Sequence, residues 1–264
     1  MSSSRTNVRR LVGAACAVLL MLASPAHAEL SNETLIGPGL RSRPAFDGLD
    51  SRHLELVPVL RYFGQPWFVR STQGVLEGGL RAELWPEWHG GLQLAYEPGR
   101  AASEDDFLLV HQVPDLARGA SLGAQLEWDH HFGRMPVTVL TRLRRDTRSE
   151  RGAQADLRVS AGVFQAGKFS AGVYTQMSWA TARATQSLYG ITPQQSALGG
   201  LPAYDAGGGL LAGSLGLLYG VDLGTAWVVV GSLEARRLQG SAARSPLAPQ
   251  PSSGYASIGL AYRY

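Results

Sequence analysis

Ala153-Gln154-Ala155-Asp156-Leu157-Arg158-Val159-Ser160-Ala161-Gly162-Val163 decides the fold. Successive side chains of a strand point to opposite faces. Read with that period, Ala155, Leu157, Val159, Ala161 and Val163 make one apolar face, and Gln154, Asp156, Arg158, Ser160 and Gly162 make the other. Residues 168–179 repeat the pattern: Phe169, Ala171, Val173, Met177 and Trp179 oppose Lys168, Ser170, Gly172, Tyr174, Gln176 and Ser178. Upstream, Leu122, Ala124, Leu126 and Trp128 oppose Ser121, Gly123, Gln125, Glu127 and Asp129. Downstream, Trp227, Val229, Leu233 and Ala235 oppose Ser232, Glu234 and Arg236.

A soluble β-sandwich alternates as well. Three features favour a membrane barrel instead. The strands run to about ten residues or more, where soluble strands average about 5–6. Full charges sit on one face only. Aromatic residues (Trp67, Trp85, Trp88, Trp128, Trp179, Tyr219, Trp227, Tyr262, Tyr264) gather near strand ends, as interface girdles do. The segment after residue 28 has no apolar run of helical membrane-spanning length. The expected fold is all-β: a transmembrane, antiparallel, up-and-down β-barrel in the cell outer membrane.

Ten strands are expected, near 54–63, 66–84, 88–98, 119–130, 135–145, 153–164, 167–180, 207–219, 224–236 and 253–264. The apolar phase slips inside 66–84, from Trp67 and Val69 to Leu76, Leu80 and Leu84, which a bulge near Gly74 accommodates. The alternative is twelve, with a hairpin turn at Ser71–Gly74 and a strand at Phe107–Val113. An even count leaves both ends periplasmic. Short connections (Trp85–Trp88, His131–Arg134, Gln165–Gly167, Gly220–Leu223) then alternate with long ones (Gly99–Arg118, Asp146–Gly152, Thr181–Ala206, Arg237–Ser252), as periplasmic turns and external loops do.

Residues 1–28 read as a secretory signal. Arg5, Arg9 and Arg10 precede the apolar Leu11–Ala23, and Ala26-His27-Ala28 is a small-x-small site cleaved after Ala28. Residues 29–52, with Gly37, Pro38, Gly39, Pro44 and Gly48, read as a periplasmic N-terminal segment, and residues 53–264 as the barrel. Cleavage removes three arginines and leaves 21 basic against 21 acidic residues, so basicity supplies no argument for nucleic-acid binding. The composition, 45% hydrophobic and 17% charged, is not that of a disordered chain. The single cysteine, Cys16, excludes a disulfide framework or a cysteine-based zinc cluster.

The final strand closes on Tyr264. Ser257, Gly259, Tyr262 and Tyr264 resemble the barrel-assembly signal of bacterial outer-membrane proteins: polar, then Gly, then apolar, then a terminal aromatic. Two loops carry a narrower resemblance. Ser187-Leu188-Tyr189-Gly190-Ile191-Thr192, with Gln195-Ser196 and Leu201-Pro202-Ala203-Tyr204, is one. Arg237-Leu238-Gln239-Gly240-Ser241-Ala242-Ala243-Arg244-Ser245-Pro246-Leu247 is the other. Both resemble loops of the MipA/OmpV family; Tyr189, Gly190, Tyr204, Gly240, Ser245 and Pro246 are the matching positions. Ser241 stands where the family has Asp, and Ala206 where it has Pro. Leu56-Val57-Pro58-Val59 and Trp67-Phe68-Val69-Arg70 look like the family's first two strands. The resemblance implies an outer-membrane scaffold joining a periplasmic lytic transglycosylase to a murein synthase; other members resemble porins or adhesins.

The residues suggest little chemistry. Alternation turns Glu77, Glu83, Glu97, Glu127, Asp129, Asp146, Asp156 and Glu234 to the lumen with Arg81, Arg142, Arg144, Arg158, Lys168, Arg236 and Arg263. So balanced a set predicts a paired, closed interior, since unpaired buried charge is costly; an ion-selective pore would show one dominant sign. Asp105-Asp106 and Asp129-His130 resemble the pairs of outer-membrane aspartyl-type proteases, but the strand order puts them at opposite ends of the barrel, beyond hydrogen-bond reach. His130 and His131, beside Asp129, point to opposite faces and cannot both aim at one metal ion without a turn, so they read as part of a polar turn. No catalytic, metal or cofactor-binding residue is assigned. Arg142, Arg144, Arg145 and Arg148 cluster at an external turn and are candidate contacts for lipopolysaccharide phosphates, alongside outer-membrane lipid.

Overall fold

A computed structural model describes residues 33–97 and 99–264. The signal segment and its Ala28 cleavage site lie outside the described residues. Twelve antiparallel strands form one closed barrel, each hydrogen-bonded to its neighbours in sequence, with the first pairing the last. They are β1 (Leu35–Pro44), β2 (Arg52–Phe63), β3 (Trp67–Thr72), β4 (Val75–Trp85), β5 (Trp88–Glu97), β6 (Gly119–Phe132), β7 (Met135–Asp146), β8 (Ala153–Ala166), β9 (Phe169–Ala180), β10 (Gly209–Asp222), β11 (Trp227–Leu238) and β12 (Ser252–Arg263).

The alternation has a physical destination. Leu157, Val163 and Met177 are 37%, 39% and 49% exposed on the barrel exterior, while Asp156, Arg158 and Gln176 are 2–5% exposed inside it. A protein that hides arginine and displays leucine is built for an apolar solvent. Closure leaves no free edge for most of the wall, which the membrane demands because hydrocarbon satisfies no backbone group. No helix among the described residues is long and apolar enough to cross a membrane.

Twelve strands replace the expected ten for two reasons. The first is β1. The segment read as a periplasmic leader contains a strand, pairing β2 from Leu35↔Arg61 to Pro44↔Arg52 and β12 from Leu35↔Arg263 to Ser42↔Ala256. Its glycines fit a crowded seam: a Cβ on Gly37 would lie 2.0 Å from the Leu260 carbonyl oxygen. The second is the stretch 66–84. It divides at Gln73-Gly74, both with positive φ (52° and 80°), the two-residue turn that matches strand twist. The turn, not a bulge, shifts the apolar phase. The hairpin half of the twelve-strand alternative is therefore right. Its other half is not, because Asp106–Val110 is a helix, α1, capped by the Asp105 carboxylate, which accepts from the Phe107 and Leu108 amides.

β3 is only six residues long, and β2 pairs with it solely through Arg61–Phe63. Above that point the edge of β2 is blunted. The Leu60 amide donates to Ser71 Oγ at 3.0 Å, and Pro58, two residues on, has no N–H to leave unpaired. The β3–β4 turn reaches into the lumen, where Gln73 Nε2 donates to Glu234 Oε2 (2.9 Å) and Tyr174 Oη (3.3 Å) on the far wall.

At one end the connections are short: 64–66, 86–87, 133–134, 167–168 and 223–226. At the other, loops 45–51, 99–118, 147–152, 181–208 and 239–251 fold together. They carry α1 and two more helices, α2 (Ala182–Tyr189) and α3 (Pro193–Gly199). Thr181 and Thr192 cap these, the latter in a reciprocal capping box with Gln195.

Candidate functional site

Two features define what the barrel can do: a lumen crossed by ion pairs and a cap of packed loops.

The lumen network starts at Glu77 on β4, whose side chain is fully buried. It accepts from Arg70 Nε at 2.7 Å and Arg142 Nη1 at 2.6 Å. Arg142 also lies 3.6 Å from Asp156, which accepts from Arg144 Nη2 at 2.8 Å, and Arg144 Nη1 donates to Glu97 at 3.0 Å. Arg70 further donates to Gln125 (2.7 Å), and Arg81 donates to Glu127 and, at 3.2 Å, to Asp129. Strands β3 to β8 thus tie together through charges that the membrane could not tolerate unpaired. Near the loop end, Arg236 pairs with Asp47 at 3.2 Å, and Tyr255 donates to the same carboxylate.

Of the lumen residues read from alternation, Glu77, Glu97, Glu127, Asp129, Asp156, Arg81, Arg142 and Arg144 belong to this network. Glu83 and Lys168 are exposed near the short-turn end, outside it. Arg70 joins the network from β3, while Arg41 and Arg43 of β1 form a separate cluster, holding Glu55 at 3.3 and 2.8 Å. Their strands, β1 and β3, are the two that the alternation does not reveal.

Arg142 and Arg144 are corrected as lipopolysaccharide contacts. Both point inward and are spent on Glu77, Asp156 and Glu97; Arg142 is 3% exposed. Arg145, one residue on, faces outward, and Arg148 sits in the loop, donating to the Ala117 and Arg118 carbonyls.

His130 and His131 diverge as strand parity demands. His130 stacks on Trp128 (centroids 5.2 Å apart) beside Phe132 in the outer aromatic girdle and bonds Glu87 at 2.8 Å. His131 lines the interior. A different trio, His89, Glu127 and Asp129, gathers its ligand atoms within 4.8 Å. Arg81, donating to both carboxylates, occupies the place a cation would take. Asp105 and Asp129 lie at opposite ends of the barrel, so no acid pair forms between them.

Below the Gln73 bridge a cavity of about 470 Å³ runs toward the short-turn end, past Arg41, Ser160, Tyr255 and Glu127 to His131 and Pro136. Above it the cap is packed. Tyr189, 2% exposed, meets Phe46 with ring centroids 5.1 Å apart. Leu108, Ile191 and Leu247 form an adjoining cluster, with Phe46 and Tyr204 touching both. Burial and the nearby Asp47 push the Tyr189 phenol well above its ordinary pKa, so it stays neutral.

The motif positions are the joints of this cap. Ser245 Oγ donates to the Tyr189 carbonyl at 2.6 Å and accepts from the Leu247 amide at 3.1 Å. Gly240 takes a left-handed φ of 52°. The Tyr204 hydroxyl donates to the Ser241 carbonyl at 2.8 Å, and Ser241 Oγ accepts from the Gly207 amide at 2.9 Å, so a hydroxyl serves where Asp is usual. The Ala206 amide donates to Gln186 Oε1 at 2.6 Å, a bond that proline at this position could not make.

A closed, apolar-skinned barrel with short turns at one end and long loops at the other is an outer-membrane β-barrel, its short turns periplasmic. The chain belongs to the MltA-interacting protein MipA family, whose model matches residues 36–264. That match begins within β1. No curated protein matches the chain. Among solved structures it is similar to LpxR from Salmonella typhimurium (8% identity, TM-score 0.48, covering 88% of this chain and 100% of that one). It is also similar to the NanC porin (10%, 0.47, 88% and 100%) and to the COG4313 outer membrane channel from Pseudomonas putida F1 (8%, 0.47, 92% and 100%).

Proposed function

We propose that the protein is a non-enzymatic, non-conducting outer-membrane anchor that holds enzymes of murein synthesis and hydrolysis at its periplasmic face. The observation that carries this reading is the asymmetry of the lumen. Ion pairs and the Gln73 bridge span it, packed loops cover its outer mouth, and its remaining cavity faces the periplasm. The family's description as MltA-interacting supports the same side.

Leu35–Pro44 is part of the barrel wall, so the segment read as periplasmic is not free there to hold a partner. The periplasmic surface is instead the ring of short turns around the cavity mouth. A photocrosslinking residue placed at Arg134, Lys168 or Thr225 should capture a lytic transglycosylase in cells, and one at Leu198 in the outer cap should not. Capture from Leu198 alone, or from none of them, overturns the proposal. Stepwise conductance in planar bilayers would favour the alternative, a small-solute porin; loss of surface attachment on trimming 181–208 would favour an adhesin.

A further inference from the structure

The cap holds a second cavity, of about 660 Å³, separate from the lumen. Loops 99–118, 147–152 and 181–208 wall it, and Leu247 of 239–251 contributes to its lining. Val113, Ile191 and Leu247 are buried apolar wall. At the wall lies Arg100, 5% exposed. Its Nη1 donates to the Leu188 carbonyl (3.0 Å), its Nη2 to the Pro114 carbonyl (3.3 Å), and its guanidinium lies 4.6 Å from the Phe46 ring centroid. Its Nε–H has no acceptor.

Among the described residues its hydrogen bonds go to carbonyls and its ring contact is Phe46; Asp115 acts on it electrostatically, but no carboxylate forms an ion pair with it. Asp115 shares the cavity wall but is engaged by the Ala102 amide at 2.7 Å. Burial pulls the Arg100 pKa below its ordinary value, with Tyr189 and Asp115 opposing. A buried cation without a counterion is costly, and a ligand that brings the missing charge recovers that cost. The volume is that of a small-molecule site, and apolar walls with a few fixed polar groups are the usual lining.

We propose that this cavity binds a small amphiphilic anion, its carboxylate or phosphate against Arg100 and its apolar body against Val113, Ile191 and Leu247. Such a group has two sources at the cell surface: the anionic, acylated lipid of the outer leaflet, or a soluble acid from the medium.

The test uses the full chain in phosphatidylcholine nanodiscs, titrated calorimetrically with 4-phenylbutanoate and with 4-phenylbutan-1-ol. The acid should bind saturably at one site and the alcohol about tenfold more weakly or worse, since charge-assisted hydrogen bonds are roughly twice as strong as neutral ones. Arg100→Met should abolish binding of the acid and Arg100→Lys retain part of it. Leu201→Trp, which adds bulk to the cavity lining and leaves Arg100 in place, should also abolish it and keeps the test decisive if Arg100→Met misfolds. Equal binding of acid and alcohol, binding that survives Leu201→Trp, or no saturable binding overturns the proposal. In discs containing lipopolysaccharide, loss of the acid's signal by competition assigns the site to lipid; an undiminished signal assigns it to a soluble acid.

Discussion

Glu77 holds two guanidiniums at 2.6 and 2.7 Å from the bottom of a fully buried side chain. Replacing it with an amide of the same shape leaves Arg70 and Arg142 short of a countercharge. Breaking a buried pair from one side costs about 3–5 kcal/mol. Glu77→Gln should therefore lower the urea midpoint of the detergent-solubilised barrel by that equivalent; an unchanged midpoint would mean that water, not Glu77, compensates the arginines. In the cap, Ser245→Ala removes a hydroxyl that bridges the Tyr189 carbonyl and the Leu247 amide, at a cost of about 1–3 kcal/mol. That loss should appear as faster proteolysis of loop 239–251 with the barrel intact. At this scale the sequence shows which face a charge occupies, because parity is local. It does not show that Arg142 meets Glu77, 65 positions away, since that pairing depends on how the barrel curls.

Strands β8 and β9 were readable because each residue obeys the alternation and nothing interrupts it. β1 was not. Gly37-Pro38-Gly39 carries the residues least suited to strands, and Arg41-Ser42-Arg43 mimics a polar linker. They are tolerated because the seam with β12 is crowded and wants small residues: a Cβ on Gly259 would sit 2.4 Å from Val59. α1 misleads the other way. Four apolar residues in a row suit a short strand or a short helix equally, and the Asp105 cap settles it. The closure at β1 has a direct check. Ser42 and Ala256 face each other across the β1–β12 seam. Ser42→Cys with Ala256→Cys should form a disulfide on oxidation, seen as altered gel migration that reductant reverses; Ser42→Cys paired with Ala124→Cys, on distant β6, should not.

For the whole molecule, a crossed lumen and a packed cap predict electrical silence. Purified protein in planar bilayers should show no stepwise current, and the same protein lacking loops 99–118 and 181–208 should stay silent if the Glu77 network alone suffices to seal it. Current from the intact protein would remove the anchor reading. The cap itself should resist protease added to intact cells, because its loops bury Leu108 and Tyr189 completely or nearly so. The loop motifs mark some joints of this packing, but not which loops they join. His111 bonding the Gly199 carbonyl at 2.6 Å joins residues from separate loops, and only the assembled wall brings them together.

The seam between Leu35 and Arg263 also sets a timetable. Neighbouring hairpins can zip locally, but this ladder joins the first strand to the twelfth, the pair farthest apart in sequence, and bears the greatest loop-closure entropy. Until it forms, two raw edges face each other, open to any foreign strand. A polypeptide lacking β12 would display β1 with nothing to receive it, so the joint doubles as a checkpoint: only a molecule that carries both strands can close its wall.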